Sequence, residues 1–229
     1  MKSLKALSAL LSYPSAELRD AVAEIRAVLN AESVFSTQAV AALEPLLSQL
    51  SGVDVLDAQE RYVLLFDRSR SLSLNLFEHV HGESRDRGGA MVDLLEMYRT
   101  NGFDLAGSEL PDHLPVLLEY LSTRPADEAR DVLADAGSIL AALTERLTRR
   151  ETPYAAALAA LVEFSGAKAT SDEAVALMAE PMDNPLDLAA LDATYAEAQV
   201  VFGPDPNAGC PATREILARM DVAPQAAAE

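Results

Sequence analysis

An all-α fold, in the form of a single-domain multi-helix bundle, is predicted by three features of this sequence. Apolar residues recur every three to four positions along most of the chain, and no convincing run of alternating β-branched residues interrupts them. Half of the 229 residues are hydrophobic, so the chain can bury a sizeable core. Aromatic residues make up only 5% and tryptophan is absent, so we expect a core of mostly Leu, Ala and Val.

The N-terminal third predicts three helices. The leucines at positions 4, 7, 10 and 11 would share one face of a helix, so they predict a first helix. It should end before Pro14, because a residue preceding proline avoids the α region. The same periodicity predicts a second helix over 18–29. A third is predicted from about 37 to 51, with a kink or a late start at Pro45.

The middle of the chain carries several helix boundary signals. Residues 57–60, Asp-Ala-Gln-Glu, have the form of a capping box that opens an apolar stretch over 61–82, expected to be one broken helix or two stacked ones. Ser84 is expected to cap the next helix, which Asn101-Gly102 ends. Asp112 is the expected N-cap of the helix that follows it.

The C-terminal part predicts a long helix over 126–150, preceded by Pro125, and another after Pro153 that Gly166 ends. Two weaker helices are expected over 171–179 and 187–199. Residues 1–203 are therefore predicted to form the helical domain. Residues 204–229 are rich in Pro, Gly and Ala and are expected to be a mobile C-terminal tail.

The charge balance excludes several classes of partner. Eighteen basic against thirty-six acidic residues give a net charge of −18, which repels nucleic acids and anionic lipid surfaces and attracts basic partners. No apolar stretch approaches the length needed to span a bilayer, so we expect a cytoplasmic protein and not a membrane protein. The single cysteine, Cys210, excludes an internal disulfide and a cysteine-rich metal site.

No catalytic or metal site can be assembled from the sequence. His79 and His81, with Glu78 and Glu83 nearby, lie roughly 200° apart on a helix and lack the spacing of zinc peptidases. Cys210 has no histidine close in sequence. We therefore predict no cofactor, no metal and no enzymatic activity, with a small metal- or nucleotide-dependent hydrolase as a remote alternative.

Three glycines, Gly82, Gly88 and Gly89, lack the spacing of a phosphate-binding fingerprint. They are expected to permit a tight turn and close helix packing instead.

Polar residues are unusually frequent inside the apolar segments between 61 and 115. Two interpretations remain open: a buried polar network that joins two helices, or a binding surface for an amphipathic or basic peptide. Tyr62 and Phe66, four apart on one helix face, likewise belong either to the core or to the lining of a groove. The polar residues concerned are Asp67, Arg68, Arg70, Asn75, Glu78, His79 and His81.

Several motifs in this region resemble one known family. The most specific are LFEHVHGESRDRG at 76–88 and ELPDHLP at 109–115, and YVLLFDR at 62–68 and LEYLS at 118–122 add to them. Together with weaker similarity near both ends, the match covers most of residues 4–203. The chain resembles the respiratory nitrate reductase delta-subunit family, the NarJ-type molybdenum-cofactor assembly chaperones of the wider TorD-like group.

This resemblance implies a cytoplasmic, all-helical and non-catalytic chaperone. Its members bind the N-terminal segment of the nitrate reductase alpha subunit, keep the apo-enzyme open for molybdenum cofactor insertion and delay membrane attachment. The implied partner is that peptide, with the molybdenum cofactor insertion machinery as a second candidate. The alternative is a chaperone of the same group that serves another molybdoenzyme with a twin-arginine leader.

The residues expected to bind the peptide combine the motif positions with the aromatic pair. They are Tyr62, Phe66, Asp67, Arg70, Glu78, His79, His81, Glu83, Arg85, Asp86, Asp112, His113 and Glu119.

Overall fold

The computed structural model describes residues 1–81 and 85–167, together with five single positions between 179 and 189. Within the described residues the chain is helical, and Met1–Asp187 form one compact unit. The predicted all-α class is confirmed. The helices predicted over 171–179 and 187–199, and the tail after residue 203, lie outside the described residues apart from single positions.

Eleven α-helices are present in the described part of the chain. They are α1 (Lys2–Leu10), α2 (Ala16–Ala31), α3 (Thr37–Ala42), α4 (Glu44–Gly52), α5 (Val55–Tyr62), α6 (Leu76–His81), α7 (Arg85–Thr100), α8 (Leu114–Ser122), α9 (Ala126–Asp135), α10 (Gly137–Arg149) and α11 (Ala155–Ser165). None of the helices among these residues is long and apolar enough to cross a membrane.

Helix α1 forms the centre of the N-terminal half, where it packs against α2 and α8. All four of its predicted leucines, at positions 4, 7, 10 and 11, are fully buried. The Glu32 carboxylate accepts hydrogen bonds from the backbone N–H groups of Lys2 (2.7 Å) and Ser3 (2.6 Å), which have no partner inside the helix. The Met1 amino group donates to the Ser122 carbonyl and so ties α1 to the end of α8.

Several predicted boundaries are confirmed, and the predicted cap of α5 is wrong. Pro45 lies in the first turn of α4, so the predicted interruption separates α3 from α4. Gly102 and Gly166 adopt positive φ angles of 75° and 68° just after α7 and α11. The N-cap of α5, however, is Asp54, three residues before the predicted cap Asp57, and its carboxylate accepts the Leu56 N–H at 2.9 Å.

The single helix predicted over 126–150 is in fact two helices, α9 and α10, which meet at Ala136. Apolar periodicity continues through the junction, so the sequence pattern alone does not mark the break. The turn places Gly137 against Ala167, where a β-carbon on residue 137 would lie only 2.4 Å from the Ala167 β-carbon. Glycine is therefore required by close packing at this junction.

The apolar stretch after α5 is broken, as predicted. A π-helical turn at Val63–Asp67 and a 3-10 turn at Arg70–Leu72 lead into α6. The fully buried guanidinium of Arg146 on α10 donates from Nη1 to the Ser71 carbonyl at 2.7 Å. This contact fixes the irregular segment against the C-terminal helices.

Candidate functional site

The segment that joins α7 to α8 is anchored to the segment before α6. Asn75 and His113 form an isolated antiparallel bridge. The Leu76 N–H donates to the Asp112 carbonyl (3.1 Å), and the Leu114 N–H donates to the Leu74 carbonyl (2.8 Å). The two most specific sequence motifs, at 76–88 and 109–115, are therefore joined by backbone hydrogen bonds.

Asp112 holds this junction together, in a role different from the predicted one. The N-cap of α8 is His113, which makes no side-chain cap bond. Asp112 Oδ2 instead accepts the N–H of Phe77, in the first turn of α6, at 3.0 Å. The prediction that Asp112 caps its own helix is wrong, because the bridge turns its carboxylate toward α6.

The Asp112 carboxylate is completely buried, and burial raises its pKa. The Phe77 hydrogen bond and the Arg87 guanidinium, whose Nη2 lies 4.0 Å from Oδ2, act in the opposite direction. The other oxygen, Oδ1, has no hydrogen-bond partner. Asp112 is thus a structural carboxylate that joins α6, α7 and the start of α8.

Other polar residues of the motif also have internal partners. Arg70 Nε lies 3.1 Å from Glu78 Oε1, and His79 Nε2 lies 2.8 Å from the Ser73 carbonyl oxygen. We call these internal contacts, together with those of Asp112, the polar network. The Arg70 side chain is 42% exposed within it, so a binding role for Arg70, Glu78 and His79 stays a prediction.

Tyr62 and Phe66 belong to the core. Both side chains are buried, and the Tyr62 hydroxyl donates to the Leu11 carbonyl at 2.9 Å. Their rings lie 4.8 Å apart and also contact Tyr154, while Tyr13 packs edge-on against Tyr62 at 5.6 Å. Burial raises the pKa of Tyr62, so its hydroxyl stays a hydrogen-bond donor at neutral pH.

Tyr62 nevertheless contributes to one wall of a cleft of about 620 Å³. Four carboxylates and no lysine or arginine are among the described residues that line it. We call it the acidic cleft, and it is lined by Ser8, Ser12, Tyr13, Tyr62, Asp67, Phe103, Asp104, Leu105, Ala106, Gly107, Glu109, His113, Pro115, Val116 and Glu119.

The carboxylates influence each other and His113 within this cleft. Burial and the charge of Glu109 raise the pKa of Asp67. Burial lowers the pKa of His113, which favours the neutral imidazole, although Glu109, Asp112 and Asp67 act in the opposite direction. His113 Nδ1 lies 3.5 Å from Glu109 Oε2 without forming a hydrogen bond, so it is a buried polar atom with no such partner.

An apolar groove between α1 and α2, with a volume of about 570 Å³, adjoins the acidic cleft. We call it the α1–α2 groove. Ser12 and Tyr13 line both cavities, and the Tyr13 ring is 50% exposed. Ala6, Ala9, Leu18, Ala21, Ile25 and Val28 provide its apolar surface.

The structure divides the predicted site residues into groups. Tyr62, Asp67, His113 and Glu119 meet around the acidic cleft. Arg70, Glu78, His79 and Asp112 lie in the polar network, Phe66 lies in the core, and Asp86 is exposed on α7. Glu83 and the side chains of His81 and Arg85 lie outside the described residues.

Sequence reasoning missed Asp104 and Glu109, the two acidic residues that the connection between α7 and α8 contributes to the cleft. The run Ala-Gly-Ser-Glu at 106–109 could have indicated a loop beside the motif. Among the described residues, no group of three or more His, Cys, Asp or Glu side chains is arranged to hold a metal ion.

Comparison with known proteins identifies the family. The family model described as nitrate reductase delta subunit matches residues 15–160. The chain is 44% identical over 211 residues to the nitrate reductase molybdenum cofactor assembly chaperone NarJ of Escherichia coli (strain K12), covering 91% of this chain and 88% of that protein.

Two further relatives agree. Identity is 39% over 211 residues to the probable nitrate reductase molybdenum cofactor assembly chaperone NarW of the same strain, covering 92% of this chain and 87% of the relative. It is 31% over 170 residues to the probable chaperone NarJ of Bacillus subtilis (strain 168), covering 70% and 86%. The chain therefore belongs to the nitrate reductase delta subunit family.

Proposed function

We propose that this protein is a cytoplasmic assembly chaperone for nitrate reductase. It binds the N-terminal segment of the catalytic alpha subunit, keeps the apo-enzyme competent for molybdenum cofactor insertion and delays its attachment to the membrane. Family membership and the names of the relatives support the assembly role. The two adjoining cavities support peptide binding.

The observation that carries the proposal is the acidic cleft next to the apolar α1–α2 groove. A basic amphipathic segment would place its charged residues near Asp67, Asp104 and Glu109 and its apolar face against α1 and α2. Tyr13 lies where the two cavities meet, and its exposed ring offers apolar area to the bound segment.

His113 adds a directional polar group to the cleft. Its buried Nδ1 atom lies 3.5 Å from Glu109 Oε2, so the imidazole responds to any change in the charge of Glu109. The bridge to Asn75 holds the backbone of His113 in place before the client arrives.

Charge-neutralising substitutions in the cleft test this proposal by isothermal titration calorimetry with the N-terminal peptide of the alpha subunit. A double variant, with Asp104→Asn and Glu109→Gln in the same protein, should bind the peptide severalfold more weakly without a change in the melting temperature. Asp127→Asn on α9 is the matched control, since it removes one carboxylate outside the cleft. Equal affinities of the wild-type protein, the double variant and the Asp127→Asn control for the peptide would contradict binding in the acidic cleft.

The identity of the client has a separate test. Purification of this protein from cells that express all their molybdoenzymes, followed by mass spectrometry, should recover the nitrate reductase alpha subunit. Recovery of another molybdoenzyme with a twin-arginine leader in its place would contradict the proposed client.

A further inference from the structure

Helix α7 presents two apolar faces, of which only one packs into the core. Leu94 and Met97 pack against the core, and Tyr98 is fully buried. A second set of apolar residues lines a surface groove of about 450 Å³ with the Leu110-Pro111 segment. We call it the α7 groove, and it is lined by Arg87, Gly88, Met91, Val92, Leu95, Leu110 and Pro111.

This groove exposes large apolar side chains to water. Val92 is 63% exposed and Leu110 is 44% exposed. Val92 and Leu110 lie together in one groove, whereas exposed apolar side chains that are scattered singly are ordinary in soluble proteins.

Gly88 and Gly89 give an independent indication at the same place. Both lie within α7, where glycine destabilises a helix relative to alanine. A β-carbon added at either position would meet no atom within 4 Å, so no contact inside the described chain requires glycine there. Among the described residues, the expectation that these two glycines permit close helix packing is therefore not met. Glycine also lets the backbone of a second polypeptide approach closely.

We propose that the α7 groove is a docking surface for the stretch of client polypeptide that directly follows the N-terminal segment. This inference rests on the proposed function. Glu109 and His113 line the acidic cleft, while Leu110 and Pro111, which lie between them in the chain, line the α7 groove. A client chain that leaves the cleft across this connection reaches Met91 and Val92 next.

Charge argues for the client and against a second copy of this protein. Two copies would each carry a net charge of −18, and this repulsion opposes self-association. Helix α7 itself has three acidic and three basic residues, so apolar contact is the main attraction in its groove. A client stretch with apolar side chains makes the apolar contact that the groove offers. Because it is joined to a basic segment held in the cleft, it also avoids the repulsion between two acidic chains.

Two peptides of the alpha subunit separate this surface from the cleft. The short peptide contains only the N-terminal segment, and the long peptide continues into the following stretch. Val92→Lys should weaken binding of the long peptide about tenfold, equivalent to about 1.4 kcal/mol, and leave the short peptide unchanged. Leu56→Lys on α5 is the matched control, because Leu56 is also an exposed apolar residue, at 73%.

The double change Gly88→Ala and Gly89→Ala is a second test that does not depend on a new charge. It should raise the melting temperature, because alanine favours helix, and yet weaken binding of the long peptide. Unchanged affinity of Val92→Lys for the long peptide would overturn the proposal. So would a Val92-dependent dimer in light scattering, or a crosslink from position 92 to residues 168–229 of the same chain. Failure of the short peptide to bind the wild-type protein would instead contradict the proposed function, and this inference with it.

Discussion

At the scale of single residues, Asp112 is a motif residue whose side chain stabilises the fold and does not line the acidic cleft. Its buried carboxylate accepts the Phe77 N–H and lies near the Arg87 guanidinium, so one side chain joins α6, α7 and the start of α8. Since the same junction positions His113 in the acidic cleft, changes at residue 112 are expected to reach the cleft indirectly.

Asparagine and alanine at position 112 are expected to differ. Asp112→Ala leaves the Phe77 N–H without its acceptor and should cost about 1 to 3 kcal/mol of unfolding free energy. Asp112→Asn keeps an acceptor and should preserve both stability and client binding. Urea denaturation and calorimetry measure the two properties. Loss of client binding in a fully stable Asp112→Asn protein would contradict this purely structural role of the carboxylate.

The raised pKa of Asp112 also predicts a pH dependence. The folded chain holds a proton on this carboxyl more tightly than the unfolded chain, so its contribution to stability is present at low pH and is lost as the pH rises through the folded-state pKa. Asparagine does not titrate. As the pH rises toward neutrality, the free energy of unfolding of the wild-type protein should therefore fall relative to that of the Asp112→Asn protein.

Tyr62 and Tyr13 contrast a core ring with a surface ring in the same wall of the cleft. Tyr62→Ala removes a buried side chain and should cost about 3 to 5 kcal/mol of stability. Tyr13→Ala, at a half-exposed position, should leave the melting temperature nearly unchanged and speed dissociation of the client peptide. Thermal melts and binding kinetics of the two variants check this. A stable Tyr62→Ala protein that loses peptide binding would contradict the core assignment of Tyr62.

At the scale of helices, the junction between α9 and α10 depends on one close contact. Gly137→Ala places a β-carbon 2.4 Å from that of Ala167, so the helices must shift. We expect a loss of about 1 to 3 kcal/mol in unfolding free energy, measured by urea denaturation. Gly52→Ala is the control, because a β-carbon at the end of α4 meets nothing within 4 Å. Equal stability of the two variants would contradict the packing described at this junction.

The helices that sequence could predict are those with local signals. Pro45, Gly102 and Gly166 mark boundaries through their own backbone preferences, so these boundaries were predictable. The break at Ala136 brings Gly137 against Ala167, and the Asp112 carboxylate caps α6 beside the bridge between Asn75 and His113. Such long-range contacts leave no periodic trace in the sequence.

For the candidate site the same distinction holds. Asp67, His113 and Glu119 belong to recognisable motifs and were predicted as site residues. Asp104 lies outside the motifs, and Glu109 opens the motif at 109–115 but was not predicted as a site residue. Both reach the acidic cleft because the connection between α7 and α8 folds back beside α1. Arg70, Glu78 and His79, which were predicted as binding residues, have partners in the polar network, and sequence alone cannot distinguish a polar network from a polar surface.

At the scale of the whole molecule, the net charge of −18 and the acidic cleft imply two separable parts of client binding. The electrostatic field should set the association rate and its salt dependence, while apolar contacts along α1, α2 and Tyr13 should set most of the dissociation rate. At an ionic strength of about 0.15 M the Debye length is roughly 8 Å, so distant charges are already screened and those in the cleft dominate.

Stopped-flow binding of the N-terminal peptide of the alpha subunit, measured from low to high salt, tests this account most directly. The association rate constant should fall severalfold with salt while the dissociation rate constant barely changes. The salt dependence should be weaker in the protein with Asp104→Asn and Glu109→Gln than in Asp127→Asn. An association rate constant that stays flat across the salt range would contradict electrostatic recognition by the acidic cleft.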